Sequence, residues 1–164
     1  MAAIGDVDEA NSLIGVARLH CDHDGESSVM LGRIQNELFD LGADLATPPA
    51  GGDFAPGEMS LRIVADQIAR LEREIDAMNE SLPPLRSFIL PGGDISAAHL
   101  HVARAVVRRA ERTAVSARAA GVELNPLALT YLNRLSDHLF TLCRALNAAS
   151  GGEPLWQPGA TRTA

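Results

Sequence analysis

HVARAVVRRAERT, residues 101–113, spaces Ala103, Val106, Val107 and Ala110 along one helical face, continued one turn later by Ala114. At about 100° per residue these five share an arc that must be a core face. Arg104, Arg108, Glu111 and Arg112 fall on the opposite arc, and Arg109 lies apart from them. The stretch therefore reads as part of a long amphipathic helix, spanning about 95–120, with Gly121 as its natural C-terminal stop.

Downstream, YLNRLSDHLFTLCRALN (131–147) repeats the design. Leu132, Leu135, Leu139, Leu142 and Leu146 lie together, while Asn133, Asp137, Phe140, Thr141 and Arg144 face away. This fifth helix starts near Pro126, a good first-turn residue, and runs to about 149.

Upstream, three more segments carry the same period. The first, roughly 6–19, opens with an acidic cap and sets Leu13, Ile14 and Ala17 on one side before the polar turn HCDHDGESS (20–28). The second, about 29–45, has Leu31, Ile34, Leu38, Leu41 and Leu45 at steps of three and four, and stops at the Pro/Gly-rich TPPAGGDFAPGE (47–58). The third carries Leu61, Val64, Ile68, Leu71, Ile75 and Met78, with Arg70 and Glu74 as an outward i,i+4 pair. SLPPLRSFILPGG (81–93) breaks the chain again. Its FILPGG is the only candidate strand, too short to seed a sheet. The expected fold is an all-α bundle of five helices.

Composition agrees. The chain has 164 residues, enough for one domain with a real core and too few to expect two. Its apolar share is 46% but only 4% is aromatic, the balance of packed helices. A net charge of −7 argues against a general nucleic-acid binder, so any anion must be met locally. All fourteen basic residues are arginine, which suits bidentate phosphate binding and equally follows from a GC-rich coding sequence. Cys21 and Cys143 are isolated, which points to a reducing, cytoplasmic compartment. Neither a membrane span nor a signal-peptide pattern is present in the sequence.

Two readings of the arginine stripe stand side by side. Charges on a bundle surface ordinarily form a solvated face. Yet three arginines flanking one glutamate repel one another unless an anion or carboxylates sit among them, and guanidinium groups hold phosphate with two parallel donors. Spacing leaves both open: a solvated face, or a functional one that is either a polyphosphate site or an interface in which Asp8 or Asp137 pairs with the row.

Other candidates are weaker. GDVDEANS (5–12) offers Asp6, Asp8 and Glu9 as oxygen ligands for Mg²⁺, or simply as helix caps. CDHD (21–24) is too compact to face one ion and reads as a polar turn, and His99 and His101 point to nearly opposite sides of their helix. A ferritin-type di-iron centre needs Glu-x-x-His, and no glutamate has histidine three residues on. LPGG is not followed by the GK[ST] of a phosphate-binding P-loop.

Four motifs in order, GDVDEANSLIG, SFILPGG, HVARAVVRRAER and YLNRLSDHLF, closely resemble the PduO-type ATP:cob(I)alamin adenosyltransferases. The resemblance covers nearly the whole chain. It implies a homotrimer of five-helix bundles with active sites between subunits, using ATP, Mg²⁺ and cobalamin, and transferring the 5′-deoxyadenosyl group to cobalt with release of triphosphate. By the same resemblance Arg108 contacts the ATP phosphates as the chief catalytic arginine, with Glu111, Arg112 and Asn133 in the nucleotide site. Arg104 pairs across the interface with Asp8 of the DE motif. Phe88 keeps the lower ligand of cobalamin away from cobalt, and Asp137, one turn beyond Asn133, belongs to the cobalamin side.

Family members usually begin with a segment like TRTGDDGTT that wraps the phosphates, and this chain starts immediately before GDVDE. The expectation is one domain over residues 1–164 without that segment, whose ATP affinity and turnover depend on it. Two other classes of function remain: a cobalamin carrier that hands cofactor to an adenosylcobalamin-dependent mutase, and a structural helical oligomer joined by its Arg/Asp stripe.

Overall fold

The computed structural model describes residues 1–23, 25–49, 51, 53–57 and 60–162. Within them run five helices and no strand: α1 (Ala2–Arg18), α2 (Glu26–Ala46), α3 (Ala65–Asn79), α4 (Ile95–Ala119) and α5 (Pro126–Ala149). Asp24, at the end of the CDHD turn, lies outside the described residues.

The helices pack in the spatial order α2, α1, α4, α5, α3, so α4 lies at the centre with α1 on one side and α5 on the other. Small residues permit this. Ala10 and Ala17 of α1 and Ala103, Ala110 and Ala114 of α4 are all buried, which lets the two helices lie close. Against α5 the core is larger: Leu132, Leu135 and Leu139 are fully buried, each contributing about 1.5–3 kcal/mol relative to exposure. The predicted core arcs of α4 and α5 are thus the observed ones, except that Leu146 is only partly covered.

Helix starts follow their caps. Asp94 accepts from the amides of Ser96 and Ala97 at 2.8 and 3.3 Å, and Asn125 accepts from Leu127 N at 3.0 Å ahead of Pro126. By contrast α1 already runs from Ala2, so Asp6 and Glu9 stand inside the helix and cap nothing. They reach instead to Arg109, with Asp6 Oδ1 2.8 Å from Nε and Glu9 on Nη2.

The third helix departs from expectation. It begins at Ala65, leaving Leu61 exposed in the connection and Val64 as the N-cap residue. Asp44 of α2 is the cause. Its carboxylate takes Ile63 N and Arg62 Nη1, both at 2.8 Å, and Asn125 Nδ2 at 2.7 Å, holding 62–63 extended where hydrophobic spacing suggested helix. Arg62 Nη1 and Nη2 also donate to the carbonyls of Thr47 and Pro48, which leaves only its buried Nε without a partner in this ion pair.

Nor are Arg70 and Glu74 a pair. Arg70 reaches Glu37 at 3.3 Å, and Glu74 turns inward to Arg33 and to His138 Nε2 at 2.8 Å. Tyr131 Oη donates to Glu37 at 2.7 Å, which closes a polar network across α2, α3 and α5. Inward carboxylates with cationic partners read from sequence like surface charges, because periodicity records polarity and not partnership.

Candidate functional site

The polar face of α4 and α5 brings together most of the expected residues. Asn133 Nδ2 donates to Glu111 Oε1 at 2.9 Å, joining the two helices. One turn earlier on α4, Arg108 is exposed, and its carbonyl accepts from Arg112 Nη1 at 3.0 Å. Arg104 lies over the Phe140 ring, 5.6 Å from its centroid, with Nε buried and unpartnered. Among the described residues Arg104, Arg108 and Arg112 carry no ion pair, whereas Arg109 is neutralised by Asp6 and Glu9. These guanidinium groups without carboxylate partners lie along the same face as the Glu111–Asn133 pair.

Not all of the predicted α5 stripe faces solvent. Thr141 and Arg144 are buried, Arg144 donating to Pro83 O at 2.6 Å and to Glu153 at 2.8 Å, because residues from the 81–93 loop and the C-terminal segment fold over this end of α5. Asp137 stays exposed and meets Arg134 at 3.0 Å, which also reaches Glu72 of α3 at 3.1 Å.

Phe88 is no core anchor: it is 76% exposed. Its loop is held from two directions. Asn147 accepts from Asp94 N at 2.8 Å and donates to Gly92 O at 3.1 Å, fixing the PGG turn to α5. From the other side Leu90 N donates to Pro154 O and Trp156 N to Phe88 O, both at 2.8 Å, around an isolated antiparallel bridge between Ile89 and Leu155. The candidate strand is thus one bridge long. Trp156 comes to rest with its ring 5.8 Å from that of Phe88, tilted by 60°. Sequence reasoning missed both holders; a lone tryptophan in a Pro/Gly-rich tail was the available signal.

Asp8 is exposed and lines the groove between α1 and α2 with Phe39, while Arg104 sits on the α4–α5 side. They form no ion pair within the chain. His101 is buried with both ring nitrogens unpartnered, and burial, reinforced by the nearby Arg104 charge, pushes its pKa below the usual value. His99 instead stacks on His20, so the two histidines are indeed separate.

The Mg²⁺ set suggested by residues 5–12 does not form. Asp6 and Glu9 are occupied by Arg109, and among the described residues no three His, Cys, Asp or Glu side chains converge to hold a metal. Cys21 and Cys143 are both free thiols, and no helix is long and apolar enough to cross a membrane.

Comparison with known proteins identifies the family. The family model described as cobalamin adenosyltransferase matches residues 1–146. A corrinoid adenosyltransferase from Mycobacterium tuberculosis is 49% identical over 167 residues, covering 100% of this chain and 83% of its own. A phenylalanine-to-alanine variant of the PduO-type ATP:corrinoid adenosyltransferase from Lactobacillus reuteri, complexed with cobalamin and ATP, superposes with a TM-score of 0.81 at 35% identity, covering 95% of this chain and 84% of that one. An arginine-to-lysine variant from the same organism, complexed with ATP, gives a TM-score of 0.81 at 36% identity, covering 95% and 86%.

Proposed function

The chain belongs to the cobalamin adenosyltransferase family, and on that footing we propose that it transfers the 5′-deoxyadenosyl group of ATP to cob(I)alamin, releasing triphosphate. The observation that carries the reading is the unneutralised row Arg104, Arg108, Arg112 beside the Glu111–Asn133 hydrogen bond.

Cob(I)alamin is itself a strong nucleophile, so the protein need supply no base. The cobalt electron pair forms the bond to C5′, the C5′–O bond breaks, and triphosphate leaves with the electrons of that C5′–O bond. What remains for the chain is alignment and stabilisation of the charge on the leaving group. Arg108 is the catalytic arginine that meets the triphosphate, with Arg112 beside it. Glu111 and Asn133, locked together, orient the nucleoside. Mg²⁺ carried in with ATP would supply further charge neutralisation for the leaving triphosphate.

Phe88 presents an exposed apolar ring where cobalamin sits, excluding the axial ligand that would otherwise stabilise cobalt(II) and hinder its reduction. Asp137 lies on the same side. In support, the phenylalanine and the arginine replaced in the Lactobacillus reuteri proteins stand twenty positions apart, as do Phe88 and Arg108 here.

The working unit in this reading is a homotrimer. Asp8 and Arg104 lie on different sides of the bundle, and Arg104 has a buried donor without a partner, so their pairing belongs between subunits. A reducing cytoplasm suits the free thiols and the reduced cobalt, and an adenosylcobalamin-dependent mutase is the natural consumer of the product.

Anaerobic turnover with reduced cobalamin and Mg·ATP tests the proposal, run with and without a TRTGDDGTT-like segment joined at the N-terminus. Adenosylcobalamin and triphosphate should appear in equal amounts. Tight cobalamin binding without triphosphate release in either form would make the protein a carrier; binding of neither ligand would leave a structural oligomer.

A further inference from the structure

His101 is 4% exposed, yet neither of its ring nitrogens has a hydrogen-bond partner among the described residues. Arg104, about one turn further along α4, has the matching deficit. Its Nε is buried and unpartnered, while its guanidinium lies over the Phe140 ring, 5.6 Å from the centroid. Nearly all buried polar groups in folded proteins are hydrogen-bonded, so two such side chains within one turn need a reason.

The charges acting on His101 come from two directions. Arg104 stands on its own helix, and Glu153 comes from the C-terminal segment, where Arg144 of α5 already holds it at 2.8 Å. Cys143 of α5 is a neutral thiol. On the other flank of α4, α1 adds none: Asp6 and Glu9 meet Arg109, Arg18 turns to Ser28 and Gln35 of α2, and Asp8 lines the α1–α2 groove. Burial, reinforced by the Arg104 charge, therefore keeps the ring neutral to a lower pH than an ordinary histidine.

The two protonation states treat a guanidinium differently. Neutral imidazole has one N–H and one lone pair, and arginine, which carries only donors, can use that lone pair. Imidazolium presents two donors and a second positive charge, which repels an arginine one turn away. Resting on the trimeric reading above, we propose that His101 is a positioning residue for Arg104, its neutral ring allowing the guanidinium to stay on Phe140 and meet Asp8 of the partner subunit. In a separated subunit Arg104 can swing away from a charged His101; pinned at an interface it cannot. Protonation of His101 therefore favours separated subunits, and assembly weakens in acid.

Sedimentation velocity of the whole chain at pH 8 and pH 5 tests this, since ordinary carboxylates stay mostly ionised at both. The unsubstituted protein should be trimeric at pH 8, and its subunit affinity should fall by about tenfold or more at pH 5. His101→Gln keeps a neutral donor and acceptor but cannot titrate, and should hold the trimer at both. His99→Gln, which removes a histidine stacked on His20, should dissociate in acid like the unsubstituted protein. Circular dichroism checks that the variants are folded. Should His101→Gln not fold, imidazole NMR of the unsubstituted protein and of Arg104→Met gives the second measurement: loss of the guanidinium should raise the titration midpoint of His101, and an unmoved midpoint would sink the proposal.

Equal acid dissociation of the unsubstituted protein and His101→Gln would overturn it, as would an unsubstituted trimer as tight at pH 5 as at pH 8. A protein that is monomeric at pH 8 would refute the trimeric reading first, and this inference with it.

Discussion

Asn147 Oδ1 occupies the space that a Cβ on Gly93 would need, and the residue at 93 takes a φ of +93°. Glycine is therefore required there twice over, by backbone and by space. Gly93→Ala should lower stability by more than about 2 kcal/mol, seen as a fall in Tm. Asn147→Ala strands Asp94 N and Gly92 O and should cost about 1–3 kcal/mol. In the double variant the alanine at 93 meets no amide, so the two costs should sum to less than their separate values.

Arg108 and Arg109 are neighbours with separable duties. Arg108→Ala removes an exposed guanidinium without an ion pair, so the thermal melt should hardly change while adenosylcobalamin formation falls by about a hundredfold or more. Arg109→Ala breaks the links to Asp6 and Glu9 between α4 and α1, and should lower Tm slightly with turnover retained. Exchanged phenotypes would mean that the anion site has been placed on the wrong arginine.

Glu74 gives the fold an acid-sensitive point. Burial acts to raise its pKa, but hydrogen bonds from His138 and Arg33, with the Arg33 charge, outweigh that and hold it at about 2 against an ordinary 4.5. A depressed carboxylate pKa means that the unfolded chain binds the proton first. The stability it contributes is complete above about pH 4.5 and is lost as pH falls toward about 2. Glu74→Gln should flatten that limb of a stability-against-pH curve from denaturant titrations, whereas a surface variant such as Glu80→Gln should not.

Burial pushes the Cys143 thiol up to about 12, and its Sγ lies 3.4 Å from Ala97 O inside the core. Cys21 is half-buried at the end of α1. Native protein treated with iodoacetamide at pH 8 should carry label at Cys21 alone, and protein in guanidinium chloride at both cysteines. Label at Cys143 in the folded state would show that α4 and α5 separate more readily than their packing implies.

Helices were legible wherever apolar residues recur at steps of three and four against a clear breaker, as in α5, whose predicted and observed limits coincide at Pro126 and Ala149. Helical spacing misleads where a buried polar group commands the backbone. Leu61 and Val64 have helical spacing, yet Asp44 claims Ile63 N and the helix waits until Ala65. In the site, Arg108, Glu111 and Asn133 could be placed on one face because α4 and α5 are regular and adjacent. Asn147 and Trp156 could not, because their roles depend on backbone contacts between segments some sixty residues apart, such as Trp156 N to Phe88 O.

That last contact gives the protein its own optical reporter. Trp156 is the only tryptophan of the chain, and it rests 5.8 Å from the Phe88 ring on a segment whose amide is bonded to the Phe88 carbonyl. Its emission registers the state of the Phe88 loop without any label, and corrins absorb where indole emits. Quenching on addition of corrinoid would therefore give occupancy in real time, and a shift in emission maximum without quenching would mark movement of the loop alone.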